Sequence, residues 1–363
     1  MDDAQPSSAE RPLTRLRRFE HPIRVGDHDL GPGRHHVRLP VTTGLDGAEV
    51  AVHVHAVVGE RPGPTLTLAS TLHGVEWLSI EMIRRLLERL DPAAMRGAVL
   101  GLPVVNPPAL GAFRRTAPDD SDSPDLNRIF PGKHTWTNDL IAKTVTAHVL
   151  PATSALIDFH LGIWGSAFGY VAYGGDFSDP QVAAASKAMA DAFGFEMVCK
   201  ERFVGSFPGP AAMAAYAAEA LGIPSCIGEL GGAGFPRERE EAWIEDTVQG
   251  LENVLRSMGV LDGAVRAPGR RLHFEHKVRV NPSVGGMLHP VQDEEQLGRE
   301  VAEGELLARV VSPYTFEVIE ELRAPYDGYL AWIPRWYPVR PGDWAFGVIP
   351  KHDPTTVWVE GGA

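Results

Sequence analysis

The stretch "GPTLTLASTLHGVEWLSIEMIRRLLERL", residues 63–90, places a strand, a turn with a histidine and a glutamate three apart, and a helix in direct succession. The segment "GPTLTLAS" reads as a buried strand. After it, Trp77, Ile80, Met82, Ile83, Leu86, Leu87 and Leu90 recur at helical spacing, with Glu81, Arg84, Arg85, Glu88 and Arg89 largely between them. His73 is therefore expected at the mouth of a strand and Glu76 in the first helical turn. A neutral imidazole and a carboxylate so placed reach one point in space, and such sets hold catalytic zinc. The pair alone decides little, because chance supplies about two His-x-x-acid pairs in a chain of this composition. A glutamate in a first turn also complements the helix dipole without any metal.

On either side of this stretch, "EVAVHVHAVVG" (49–59) alternates with period two, while "GAVLGLPVVN" (97–106) and "SALIDFHLG" (154–162) read as buried strands. "IPSCIGELGG" (223–232) looks like another, ending in glycines. Helical spacing is found over 77–90, 179–193, 209–221 and 237–258. This alternation predicts an α/β fold whose mostly parallel or mixed sheet is sandwiched by helices, with ligands at the carboxyl ends of the strands. After "RAPGRRL" (266–272) the texture changes to short strand-like runs broken by Gly, Pro and Asp. The expected organisation is an N-terminal segment over 1–44, a catalytic α/β domain over 45–265 and an all-β domain over 266–363.

A chain of 363 residues, 44% hydrophobic and 22% charged, can bury a large core and form two domains. Its 34 basic and 47 acidic residues give a net charge of −13, which argues against nucleic acid or an anionic membrane as the main partner. A small anionic substrate stays compatible, since a few local arginines override the global sign. The first twenty residues carry a basic patch but no apolar core of a signal peptide, and no later run approaches membrane-spanning length. Cys199 and Cys226 form neither a metal-binding spacing nor a disulfide framework and are expected as buried free thiols in the cytoplasm.

His160 ends the strand "ALIDFHLG", 87 residues beyond His73 and at the same edge of the predicted sheet, which supplies a third ligand. Asp158 could orient such a ligand or bind nearby backbone N–H groups. Glu229, flanked by small residues in "CIGELGG", leaves a carboxylate in an open cleft, unless a surface arginine pairs with it. His53 and His55 face one side of an alternating strand and read as a solvated face. "GELGGAGFP" is no phosphate loop, since no Gly-Lys-Ser/Thr follows.

Between the two histidines lies "NPPALGAFRRTAPDDSDSPDLNRIFPGK" (106–133). The order H-x-x-E, then R…D-L-N-R-x-F-P-G, then D-x-H-x-G, then E-L-G-G resembles the succinylglutamate desuccinylase/aspartoacylase family, relatives of the zinc carboxypeptidases, over about residues 45–350. The resemblance implies a carboxypeptidase-like mixed sheet sandwiched by helices, followed by a C-terminal all-β, barrel-sandwich-like domain. It implies one zinc per chain held by His73, Glu76 and His160, with Glu229 as the catalytic carboxylate. Arg115 matches the arginine that polarises the scissile carbonyl, although Arg114 is one residue away. Asn127 and Arg128 match the pair that binds the substrate's carboxylate, against the alternative of a solvated turn with Arg128 paired to Asp125.

The implied reaction is hydrolysis of the amide bond of a small N-acyl amino acid. The alternatives are a metallocarboxypeptidase acting on short peptides and a non-catalytic binding protein of the same fold. The expected partner is that small molecule, not nucleic acid or membrane, and a homo-oligomer is left open. Three features depart from the family pattern: the Asp- and Ser-rich insert between Arg115 and Asp125, Gly228 before Glu229, and no counterpart to the tyrosine that some aspartoacylases contribute from the second domain. "TFEVIEELRAPYDGYL" (315–330) resembles the hairpin of biotinyl or lipoyl carrier domains. No lysine occurs between Lys277 and Lys351, and Glu317 stands about where the carrier lysine would be, which excludes that role. The second domain is expected to cover the active site.

Overall fold

The strand read from "GPTLTLAS" spans Arg61–Ala69 and is buried from Gly63 onward. It is flanked on both sides by parallel partners, Arg96–Leu102 and Ala155–Gly162, which is why its sequence is nearly continuously apolar and not alternating. The computed structural model describes residues 12–118, 125–162, 165–205, 209–266 and 269–360. Ala155–Gly162 pairs in parallel with Ser225–Gly232, so the strands read as carrying the site run side by side in one direction. Antiparallel neighbours extend the sheet: Glu49–Val58 and then Gly33–Thr43 at one end, and Ser166–Gly174 beside Ser225–Gly232. The sheet is mixed, as expected. The pairing of Gly33–Thr43 begins inside the segment that the sequence set apart at the N-terminus.

Helices cover both faces. On one, Met82, Ile83, Leu86, Met189, Phe193, Val248 and Leu251 from the helices Leu78–Arg89, Pro180–Phe193 and Arg237–Ser257 share a core with Leu66, Leu68, Ile157 and Phe159 of the sheet. On the other, Ile141, Val145, Met213 and Ala217 of Thr137–His148 and Met213–Leu221 share a core with Leu100, Leu102 and Leu156. Each large apolar side chain so buried is worth about 1.5–3 kcal/mol. The helix expected over 209–221 begins later, at Met213. Thr137–His148 has no counterpart among the predicted helices, because Asn138, Asp139 and Thr144 are buried along with its apolar side chains and blur the pattern.

The C-terminal region is all-β apart from one 3₁₀ turn among the described residues, Glu294–Gln296. Gly286–Pro290, Leu306–Val311, Val318–Arg323 and Tyr337–Val339 form a separate antiparallel sheet over a core that includes Leu288, Leu307, Val310 and Leu322. Other strands of the region join the large sheet. Gly328–Pro334 pairs antiparallel with Ser166–Gly174, with Trp332 opposite Phe168. None of the described helices is long and apolar enough to cross a membrane.

Candidate active site

The turn after Arg61–Ala69 brings the first two candidates together. Thr71 adopts φ +58°, a left-handed conformation costly for a β-branched residue. It is held there as its hydroxyl donates to the Pro103 carbonyl (2.9 Å) and its own carbonyl accepts from Asn106 N–H (3.2 Å). Gly74 lies against the neighbouring helical turn so closely that a Cβ would fall 2.1 Å from the Ala109 carbonyl atoms. Gly74→Ala is therefore expected to cost about 1–3 kcal/mol and to lower metal content, read as a fall in Tm and in bound metal on one preparation. Glu76 departs from its expected place in the first helical turn, since the helix starts at Leu78. Its N–H closes a turn onto the His73 carbonyl (3.1 Å), and its carboxylate is drawn to two histidines.

His160 and Asp158 alternate along Ala155–Gly162 and so share a face of the sheet. Glu229 is the cross-strand partner of His160 on one side and of Tyr170 on the other, which puts all three side chains on that face. His73 Nδ1 lies 2.8 Å from Glu76 Oε1, and His160 Nδ1 lies 3.0 Å from Glu76 Oε2. The three candidate ligands are buried, with their donor atoms within 4.8 Å of one another.

The opposite nitrogen of each ring faces an aspartate. His73 Nε2 is 2.9 Å from Asp125 Oδ1, and His160 Nε2 is 3.3 Å from Asp158 Oδ2. An aspartate accepting Nε2–H leaves Nδ1 free to coordinate, an arrangement typical of metal-binding histidines. The two imidazoles and the carboxylate thus fit a divalent cation. Asn127 also faces His160 Nε2, through its amide nitrogen at 3.0 Å, because its amide oxygen accepts from Met213 N–H at the start of a helix (2.8 Å).

Asp125, read from sequence only as a partner for Arg128, ties the site together. Besides His73, it accepts from Arg115 Nη2 (2.9 Å) and from the Asn127 N–H (2.9 Å). Arg115 Nη1 is also 4.0 Å from Glu76. Arg128 donates to the Asn127 carbonyl at 2.6 Å and lines the same cavity. Arg114 is exposed and does not line it. Most of the insert between Arg115 and Asp125, residues 119–124, lies outside the described residues.

The electrostatics follow from burial and neighbours. Burial pushes Glu76 up, but His73 and His160 outweigh it and hold the carboxyl at about 2. Burial acts likewise on Asp125, which His73, Arg115 and Arg128 keep well below the usual carboxylate range. Burial pushes Glu229 up to about 7, opposed by His160 and aided by Glu76. Buried carboxylates around two imidazoles make a strongly cation-attracting centre.

The site opens into a cavity of about 820 Å³. Its lining includes His73, Glu76, Arg115, Asn127, Arg128 and Glu229, and the C-terminal residues Lys277, Arg279, Trp332 and Trp344. The cavity thus brings together His73, Glu76, Arg115, Asn127, Arg128, His160 and Glu229, along with Asp125, read from sequence only as a partner for Arg128, and Tyr170, which sequence reasoning did not single out. His53 and His55 lie elsewhere, stacked on His36 with ring centres 5.1 and 4.6 Å apart. Cys199 and Cys226 are buried free thiols.

Residues 62–258 match the succinylglutamate desuccinylase/aspartoacylase catalytic domain. The chain is 28% identical over 311 residues to the N-alpha-acetyl-L-2,4-diaminobutyric acid deacetylase of Halomonas elongata, covering 81% of this chain and 84% of that protein. A succinylglutamate desuccinylase from a Silicibacter species superposes with a TM-score of 0.76 at 26% identity, covering 91% of this chain and 99% of the other. The product-bound ectoine utilization protein EutE (DoeB) of Ruegeria pomeroyi gives 0.75 at 26% identity, covering 91% and 100%. The chain therefore belongs to the succinylglutamate desuccinylase/aspartoacylase family, whose members are deacylases.

Proposed function

We propose that the chain is a zinc-dependent amidohydrolase that cleaves the acyl amide of a small N-acyl amino acid, with one zinc held by His73, Glu76 and His160. The observation that carries this reading is a buried His–Glu–His set, each imidazole backed by an aspartate, beside a carboxylate at the same level of the adjoining strand. Zinc, when bound, supplies Lewis acidity to the scissile carbonyl and the hydrolytic water. Glu229 takes the proton of that water and delivers it to the departing amine. Arg115, steadied by Asp125, stabilises the charge that grows on the carbonyl oxygen. Asn127 and Arg128 hold the substrate's carboxylate, the guanidinium gripping both oxygens.

The Halomonas relative is named for removing an acyl group from an amino acid, which supports the same chemistry here. A cavity walled in part by C-terminal residues favours small molecules over peptides. The same reading takes 1–44 as an N-terminal segment, 45–265 as the catalytic domain, 266–363 as its cover, and the cytoplasm as its place of action. A chromatographic screen of N-acyl amino acids and short peptides with added zinc tests it. The expected result is about one zinc per chain and release of a free amino acid from at least one N-acyl substrate. Turnover of peptides alone, or of nothing by zinc-loaded protein, would refute it.

Arg128→Ala separates binding from chemistry. For carboxylate-bearing substrates kcat/KM should fall by an amount equivalent to about 2–5 kcal/mol. Amidating the carboxylate should remove most of that difference, and an equal loss on both substrates would contradict the role.

A further inference from the structure

Gly33–Thr43 is the last strand at one end of the large sheet, and Glu49–Val58 is its one partner among the described strands. His36 stands directly opposite His55, while His53, two residues along the same strand, stands opposite Arg38. Alternation therefore puts His36, Arg38, His53 and His55 on one face. His36 and His55 are exposed and His53 is partly buried. None of the three histidines lines the catalytic cavity, and the proposed reaction gives them no task.

The three rings are gathered together. His36 Nε2 lies 2.9 Å from His53 Nδ1, and the His36 ring stacks on that of His55 with centres 4.6 Å and planes 19° apart. In water a hydrogen bond between two such imidazoles adds little to stability. The same two nitrogens are nearly spaced for a shared cation, since on one tetrahedral zinc they would lie about 3.3 Å apart, given zinc–nitrogen bonds of about 2.0–2.1 Å. His55 adds a third nitrogen through a side-chain rotation of the kind that exposed residues make freely. Imidazoles suit zinc, copper and nickel ions. The guanidinium of Arg38 donates to Glu49, which offsets its charge beside the rings. Burial and then His36 lower the proton affinity of both His53 and His55, so that near neutral pH these rings offer lone pairs.

We infer that His36, His53 and His55 form a second metal site, which takes one divalent transition-metal ion of the zinc, copper and nickel group on the open face of the sheet. An ion held there joins Gly33–Thr43 to Glu49–Val58 through side chains as well as backbone, and so clamps the edge strand. The site is separate from the catalytic cavity and does not depend on the deacylase reading.

The test is a calorimetric titration of Zn²⁺ into the full chain, purified without a histidine tag and with its tightly held metal in place. One further equivalent should bind. His36→Gln, His53→Gln and His55→Gln should each weaken it by about tenfold or more, since each removes one of three ligands. His36→Phe keeps the ring stack but no donor and should weaken it equally, which separates ligation from packing. The double variant His36→Gln/His53→Gln should lose the further equivalent and keep the tightly held metal and any turnover, whereas His73→Ala should keep the further equivalent. Added Zn²⁺ should also slow amide hydrogen exchange along residues 33–43 in the unmodified chain and leave the double variant unchanged. If the chain carries no tightly held metal but the weaker equivalent binds and disappears in the double variant, the catalytic reading fails and the second site stands. Absence of the further equivalent from the unmodified chain, or its survival in the double variant, overturns the second site.

Discussion

Glu229→Gln is expected to lower turnover by about 10² or more while leaving zinc and substrate affinity in place. The substitution keeps the size and reach of the side chain but removes its capacity to take a proton. Glu229 adjoins the candidate ligands in register with His160, yet it stands outside the group whose donor atoms converge. Substrate should still bind, since Asn127 and Arg128 are untouched. Zinc content by elemental analysis, affinity by calorimetry and turnover on one preparation give three separate readings. Loss of zinc would make Glu229 a ligand, and near-normal turnover would remove it from the mechanism.

The second large effect is expected from His73→Ala and His160→Ala. Each removes one of three protein ligands and should strip most of the zinc and nearly all activity. Each also leaves Glu76, buried and held ionised by both imidazoles, without one of its partners, so a loss of thermal stability should accompany the loss of metal. Full metal content in both variants would sink the ligand assignment.

Much of the site was legible because its residues fall at the ends of strands. His160 and Glu229 each lie in the second half of a buried strand, where a polar group stands out against its neighbours, and His73 and Glu76 bracket the step from strand to helix. Asp125 was not legible in this way. Its role depends on the fold carrying it to a histidine 52 residues away, and no local periodicity encodes that approach. The same holds for Tyr170, whose importance comes from pairing with Glu229 across a strand, Ser166–Gly174, that its own small and glycine residues conceal. The helices with clean apolar stripes emerged within a residue of their bounds, whereas Thr137–His148, with buried Asn138 and Asp139, did not.

Because Gly328–Pro334 is hydrogen-bonded to Ser166–Gly174, the part of the cavity wall that carries Trp332 is a continuation of the catalytic sheet. A wall stitched by backbone ladders does not swing aside as a hinged lid does, and moving Trp332 away would break the pairing of Trp332–Pro334 with Ser166–Phe168. It also follows that trimming the protein at residue 265 would not yield a minimal enzyme. The cut would unpair the Ser166–Phe168 end of one strand and the Met197–Cys199 end of another, which Leu272–Phe274 now covers. Bare strand edges beside newly exposed aromatic side chains are templates for intermolecular pairing, and the shortened protein should aggregate before it could be assayed.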